Sequence, residues 1–262
     1  MSNHKETTTR TLVVALLICL VCSVLVAGAA VALKPIQQAN RLLDKQRSIL
    51  AIAGLSQPGM SGDEIRALYD KRIVARVVDL RTGQFSDEQD PETFDPLAAA
   101  KDSRLSSALP DAQDIASINR REHYSTVYLI EREGQLDTLI LPVRGYGLWS
   151  TMYGFMALKG DLNTVTGFGF YQHGETPGMG GEVDNPRWVA QWPGKKVFDE
   201  QQQVAVRVVK GGVNPQSPDA IHQVDALAGA TLTSNGVTHL LEFWLGENGF
   251  GPFITNLRAG EA

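Results

Sequence analysis

Cysteine is almost missing from this chain. Its 262 residues include two, Cys19 and Cys22, both within one apolar run near the start. The rest has no disulfide framework and no thiolate set for zinc or an iron–sulfur cluster. A basic excess is missing too: 24 Lys and Arg stand against 29 Asp and Glu, a net charge of −5. No basic stripe exists to neutralise phosphates, which excludes nucleic acid as an expected partner. What is present is ordinary for a globular protein, 43% hydrophobic and 20% charged residues. That length and composition suit one sizeable domain with a full core plus an appendage.

The appendage is N-terminal. Residues 11–33 carry no charge and are rich in Leu, Val and Ala. As a helix they span roughly 34 Å, enough for a bilayer core of about 30 Å. A cleavable signal peptide is the competing reading, with Lys5 and Arg10 as its positive start and Ala27-Gly28-Ala29 as its cleavage site. Retention is favoured, because the apolar run continues to Leu33. Val21, before Cys22, is too large for the usual lipoprotein pattern. Lys34, Arg41, Lys45 and Arg47 outnumber Lys5 and Arg10, so a Lys/Arg count keeps the large domain inside by a small margin.

The expected layout is a tail at 1–10, a transmembrane helix at 11–33, a stalk helix at 34–56 and a β-rich domain at 57–262. Ile36, Ala39, Leu42, Leu43, Ile49 and Leu50 recur at helical spacing in the stalk. Ser61 and Glu64 have capping-box spacing for a short helix over 61–69. Strands are expected at 73–80, 124–131 and 136–143, the last two as a hairpin, and at 149–158, 162–171 and 204–209. Gly167 and Gly169, inside a strand, mark a bulge or a close backbone approach, such as a flat ligand against the chain. Asn185-Pro186 opens a helix with Trp188 and Trp192 on one face. The acidic stretch with Asp87, Glu88, Asp90, Glu92 and Asp95 matches no calcium loop and reads as a solvated surface. No metal site is expected.

His173-Gly174-Glu175-Thr176-Pro177-Gly178-Met179-Gly180-Gly181-Glu182 is a glycine-rich loop of the kind that carries function. It lacks both the P-loop and the dinucleotide fingerprint. His173 and Glu175 are a weak acid/base candidate pair. Farther on, Asp225-Ala226-Leu227-Ala228-Gly229-Ala230-Thr231-Leu232-Thr233-Ser234 places small residues around a threonine. Val237, Leu240, Leu241, Trp244 and Leu245 then form one helical stripe. Thr233 and Ser234 are the N-cap candidates, which puts Thr231 just before a helix start, a natural seat for a phosphate. Composition alone favours a plain capped helix here. Nucleophilic threonine catalysis is a third option, with no His or Lys placed to activate it.

The 225–231 segment resembles the D-x-x-[S/T]-G-A-T signal at which bacterial flavin transferases attach FMN by a phosphoester. With Gly145-Tyr146-Gly147-Leu148-Trp149, the 173–182 loop and the single membrane helix in matching order, nearly the whole chain resembles the C-subunit family of the sodium-translocating NADH:quinone oxidoreductases. Ala228 stands where that signal usually has Ser or Thr, and Met179 where leucine is expected. The resemblance implies an α+β fold, a single N-terminal transmembrane helix followed by a β-rich FMN-binding domain with flanking helices. It implies covalent FMN on Thr231, with Asp225, Gly229 and Ala230 in the attachment signal and Thr233 at the phosphate. Leu148, Trp149, Glu175, Thr176 and Met179 are expected to line the flavin ring. No catalytic residue is expected, since the chain would relay electrons from iron–sulfur centres to a second flavin subunit. The implied partners are the other subunits of the membrane reductase, a flavin transferase during maturation, and the lipid bilayer. The flavin domain would face the periplasm from the inner membrane, against the Lys/Arg count. The G-subunit family of the Rnf electron-transport complexes is the nearest alternative, and a cofactor-free membrane-tethered binding domain is the alternative from another class.

Overall fold

The computed structural model describes residues 8–262. Lys5 and most of the expected 1–10 tail lie outside the described residues. The chain divides into two compact units, one ending at Asp44 and the other spanning Lys45–Ala262. A single helix, α1 (Thr8–Ile52), runs where a membrane helix and a separate stalk are expected, with Pro35 inside it. A proline removes one helical hydrogen bond and kinks a helix, but apolar and periodic sequence on both sides keeps this one continuous. Its most apolar window has a mean hydropathy of 3.0, and the helix is long and apolar enough to cross a membrane. Cys19 and Cys22 are free and exposed on it. The stalk stripe is used only at its end: Ile36 and Leu42 are exposed, whereas Gln46, Ile49 and Leu50 are buried.

The second unit opens with α2 (Gly62–Arg72), started by the expected capping box. Ser61 Oγ accepts from Glu64 N–H and the Glu64 carboxylate accepts from Ser61 N–H at 2.8 Å. Then follow β1 (Val74–Asp79), β2 (Gln84–Ser86), the short α3 (Pro96–Ala99), β3 (Ser106–Ala108), β4 (Arg120–Glu122), β5 (Tyr124–Arg132), β6 (Gln135–Tyr146), β7 (Thr151–Lys159) and β8 (Val165–Gln172). The acidic stretch falls in the mostly exposed segment between β2 and α3. Six strands form an antiparallel sheet in the order β2-β1-β5-β6-β7-β8. The expected hairpin is β5–β6, closed by Glu133 and Gly134 at positive φ.

The central strands are buried on both faces, which is why they read as near-continuous apolar runs. Leu139, Leu141, Met156 and Phe168 belong to one core with Val237, Leu240, Leu241 and Trp244 of α5 (Thr231–Leu245) and Phe253 of α6 (Gly251–Ala259). On the opposite face Tyr128 meets Tyr69 of α2 and Phe155 of β7, ring centroids 6.5 and 5.8 Å apart. The β8 glycines serve that face. A side chain at Gly167 would strike the carbonyl of Ile52, and one at Gly169 would touch the Ile52 side chain at 3.7 Å. The close approach anticipated from these glycines is that of α1's end, not of a flat ligand.

Two expectations shorten. The helix after Asn185 is α4 (Pro186–Val189), so Trp192 lies beyond it, yet both tryptophans are buried with ring centroids 5.4 Å apart. The 204–209 strand reduces to β9 (Arg207–Val209), because Val206 N–H is drawn to Val197 O at 3.1 Å instead of into a ladder. β9 pairs in parallel with β10 (Gln223–Asp225), and this small ladder leads the chain into α5.

Candidate functional site

The helix expected to begin near Thr233 begins at Thr231. Its N-cap is Ala230, and no side chain caps it. Both expected caps are engaged elsewhere. Ser234 Oγ turns back to accept from Leu227 N–H at 3.1 Å, closing the loop that precedes the helix. The Thr233 hydroxyl, expected at a phosphate, is fully buried and donates to Glu175 Oε2 at 2.6 Å. The first amides of α5 therefore lack a side-chain acceptor, which leaves this end open to an anion. Gly229 precedes it at φ +71°, a backbone state costing other residues about 1 kcal/mol.

Thr231 itself is exposed, and its hydroxyl bonds to no described residue. It lines a cavity of about 230 Å³ with Val208, Lys210, Gly229, Ser234 and Asn235 among its neighbours. Pockets that enclose a cofactor-sized ligand run from about 300 to 1,000 Å³. This cavity is thus the right scale for a phosphate and its linking chain, and too small for a flavin ring as well. Of the attachment residues named from the sequence, Thr231 and Gly229 line it. Ala230 is buried at the helix start, and Asp225 is not among the lining residues; its carboxylate accepts from Val213 N–H at 2.7 Å.

The other expected contacts assemble around Glu175. Its buried carboxylate accepts from the N–H groups of Leu148 (3.1 Å), Trp149 (2.9 Å) and Ser150 (3.2 Å), as well as from Thr233. Two glycines give it room: a side chain at Gly147 or Gly180 would lie 2.7 Å from its oxygens. Gly236 lets α5 approach the end of β6, where an added carbon would meet Tyr146 O at 2.5 Å. One carboxylate thereby ties together the 147–150 turn, the glycine loop and the first turn of α5. Glu175 is expected against the ring, but it faces inward and positions others. Those others are exposed: Leu148, Trp149, Met179 and Leu232 present apolar side chains, Trp149 being 66% accessible. Thr176 is exposed, and its carbonyl accepts from Met179 and Gly181 N–H, shaping the loop. His173 and Glu175 form no acid/base pair. The His173 ring bonds Asp184 at 2.7 Å and accepts from the Glu175 backbone N–H at 3.2 Å, leaving the carboxylate to its other donors.

Burial by itself raises the Glu175 pKa. The hydrogen bonds from Thr233, Trp149, Leu148 and Ser150 outweigh it and hold the group below the usual glutamate value. A lowered folded-state pKa stabilises the fold above the unfolded value, about 4.3, and that contribution disappears as pH falls through the folded value. Acid titration is expected to speed amide exchange at Leu148, Trp149 and Ser150 before the sheet opens. Glu175→Gln keeps the shape but loses the charge, and is expected to cost roughly 1–2 kcal/mol in a denaturant titration.

Sequence reasoning missed Lys210 and Asn235. Lys210 follows a β-branched run and precedes two glycines, which reads as an ordinary strand exit. Only the β9–β10 pairing brings it beside Thr231.

Residues 147–246 match the model of the FMN-binding domain family. The chain is 71% identical over 259 residues to the Na(+)-translocating NADH-quinone reductase C-subunit of Pseudomonas aeruginosa, covering 99% of both chains. It is 54% identical to the C-subunit of the same reductase in Yersinia pestis, covering 96% of this chain and 93% of that one. The crystal structure of Shewanella oneidensis NqrC superimposes with a TM-score of 0.76 at 36% identity, covering 86% of this chain and 99% of that one.

Proposed function

The chain belongs to the C-subunit family of the Na(+)-translocating NADH-quinone reductases, and from that premise we propose that it is the electron-relay component bearing FMN covalently on Thr231. An FMN-binding domain within a translocase component accounts for the glycine loop and the 225–234 segment together. It leaves no need for a cofactor-free tether, and the high identity to this family sets it apart from the Rnf-type alternative.

The observation that carries the covalent reading is the free Thr231 hydroxyl, in a phosphate-sized cavity at an uncapped helix start. The residues fit the group. Thr231 would supply the oxygen of the phosphoester, and the open amides of α5 would donate to the phosphate oxygens. Leu148, Trp149 and Met179, with Leu232 beside the attachment point, would hold the flavin ring by apolar contact. Thr176 borders that surface. Glu175 and Thr233 act one layer below, fixing the turns on which those side chains stand. The bound flavin would supply the redox chemistry; the protein supplies attachment, position and electrostatics.

In the membrane complex the chain would take electrons from iron–sulfur centres and pass them to a second flavin subunit, with no turnover of its own. The α1 helix would anchor it in the lipid bilayer of the inner membrane, with the flavin domain in the periplasm and a flavin transferase loading it there. The units would be a tail at 1–10, a membrane segment at 11–33, a stalk to 56 and the FMN-binding domain at 57–262.

The test is a denaturing gel of the full chain co-expressed with a bacterial flavin transferase. Flavin fluorescence that migrates with the denatured band is the expected result; a band without fluorescence overturns the covalent reading.

A further inference from the structure

Lys210 is the one cation among the residues lining the Thr231 cavity. Among the described residues it makes no ion pair and no hydrogen bond. Its place is nevertheless set on both sides by backbone. β9 ends at Val209, with Val208 opposite Val224 and Val209 opposite Asp225 in the parallel ladder. Val208 N–H also donates to the Thr238 hydroxyl of α5 at 3.0 Å, so the strand leading to Lys210 is stitched to the helix carrying Thr231. Past Lys210 the chain turns through Gly211 and Gly212 at φ +88° and +87°. Val213 N–H then meets Asp225 Oδ1 at 2.7 Å, which closes the loop. Asp225 is itself held, its N–H by Gln191 Oε1 at 3.0 Å and its carbonyl by Trp188 Nε1 at 2.8 Å.

We propose that Lys210 is the counter-ion of the flavin phosphate at Thr231, and that Asp225 is the residue that positions it. The proposal rests on Thr231 being the acceptor. A phosphodiester keeps one negative charge at neutral pH. Helix amides satisfy its oxygens as hydrogen-bond acceptors but carry no full charge, and a half-enclosed anion without a cation is costly. The chain is already acidic, at a net charge of −5, so a local cation matters the more. The role of Asp225 in the attachment segment then lies in the folded protein: its carboxylate holds the lysine-bearing loop at the cavity mouth.

The test is lysine acetylation of the full chain, co-expressed with the transferase, beside Thr231→Val prepared identically. Peptide mass spectrometry reads the modification rate of each lysine. Lys210 is expected to react about tenfold more slowly in the flavin-bearing chain, the scale of one charge-assisted hydrogen bond, while Lys159 reacts equally in both. Equal rates at Lys210 overturn the proposal. Intact mass of the same samples separates the two claims. No added flavin on the parent chain overturns the Thr231 reading and this one with it; added flavin with Lys210 unprotected overturns this one alone. Val213→Pro removes the N–H that Asp225 accepts at 2.7 Å and leaves residues 225–231 unchanged, so the label is expected to remain while Lys210 loses its protection. Protection of Lys210 that survives in the labelled variant overturns the positioning role of Asp225.

Discussion

Thr231→Val is expected to abolish covalent flavin entirely while leaving the fold intact. The substitution replaces a hydroxyl by a methyl of similar size at an exposed position. It removes no hydrogen bond, because the Thr231 hydroxyl makes none with the described chain. Valine's lower helix propensity matters little at the first helical residue, where packing along Val237, Leu240, Leu241 and Trp244 holds the helix. Stability is therefore expected to change by less than about 0.5 kcal/mol. The label, by contrast, is all or none, since the phosphoester needs that oxygen. The two nearest hydroxyls offer no substitute. Thr233 is fully buried and donates to Glu175, and Ser234 is committed to Leu227 N–H. Intact mass of the denatured protein is the measurement. A variant that still gains one FMN moiety would show that another residue is the acceptor.

The boundary of that helix shows how far local sequence reaches. The stripe from Val237 to Leu245 was legible because burial imposes helical period on it. The first turn was not. Thr233 and Ser234 are good capping residues in isolation, yet the N-cap falls three residues before the first of them, on Ala230, with no side-chain cap. Local rules fail here because both hydroxyls are drawn into tertiary bonds, Thr233 to Glu175 and Ser234 to Leu227 N–H. The long strands of the sheet were legible, since two-sided burial produces unbroken apolar runs in β5, β6 and β7, whereas the three-residue edge strand β2 was not. The glycines of β8 announced a close approach but could not say of what, and it is the carbonyl of Ile52. Glu175 stood out only through its glycine neighbours. Its inward role depends on Thr233, 58 positions away, and on three amides of a separate turn. Lys210 left no local trace, because its meaning comes from a parallel pairing of two three-residue strands. The resemblance of motifs supplied the cofactor; the geometry around it came from long-range contacts that no window of sequence contains.

Removing the carboxylate of Glu122 is expected to produce a large loss of stability in the domain. Glu122 on β4 and Arg144 on β6 form a bidentate pair, at 2.7 and 2.6 Å, with side chains only 2% and 9% accessible. The guanidinium also lies 4.9 Å from the Trp244 ring, and Trp244 Nε1 donates to the Arg144 carbonyl at 2.6 Å. The pair thus fixes β4 to the sheet and the far end of α5 to β6. An exposed ion pair contributes about 0–1 kcal/mol, but stripping one partner from a buried pair leaves an uncompensated charge and costs about 3–5 kcal/mol. Glu122→Ala in the full chain is expected to lower the melting temperature by roughly 10 °C for a unit of this size. Replacing both partners separates the charge penalty from the loss of packing. Glu122→Leu with Arg144→Met removes both charges and keeps apolar volume, and is expected to recover most of the loss. If the double variant is no more stable than Glu122→Ala, the pair matters for its hydrogen-bond geometry, including the bond from Arg144 Nη2 to the Arg120 carbonyl at 3.2 Å. The same melt, followed by the flavin signal of the loaded chain, asks whether the seat of Thr231 loosens with it. Because Trp244 and Thr231 share one rigid helix, the two transitions are expected to coincide.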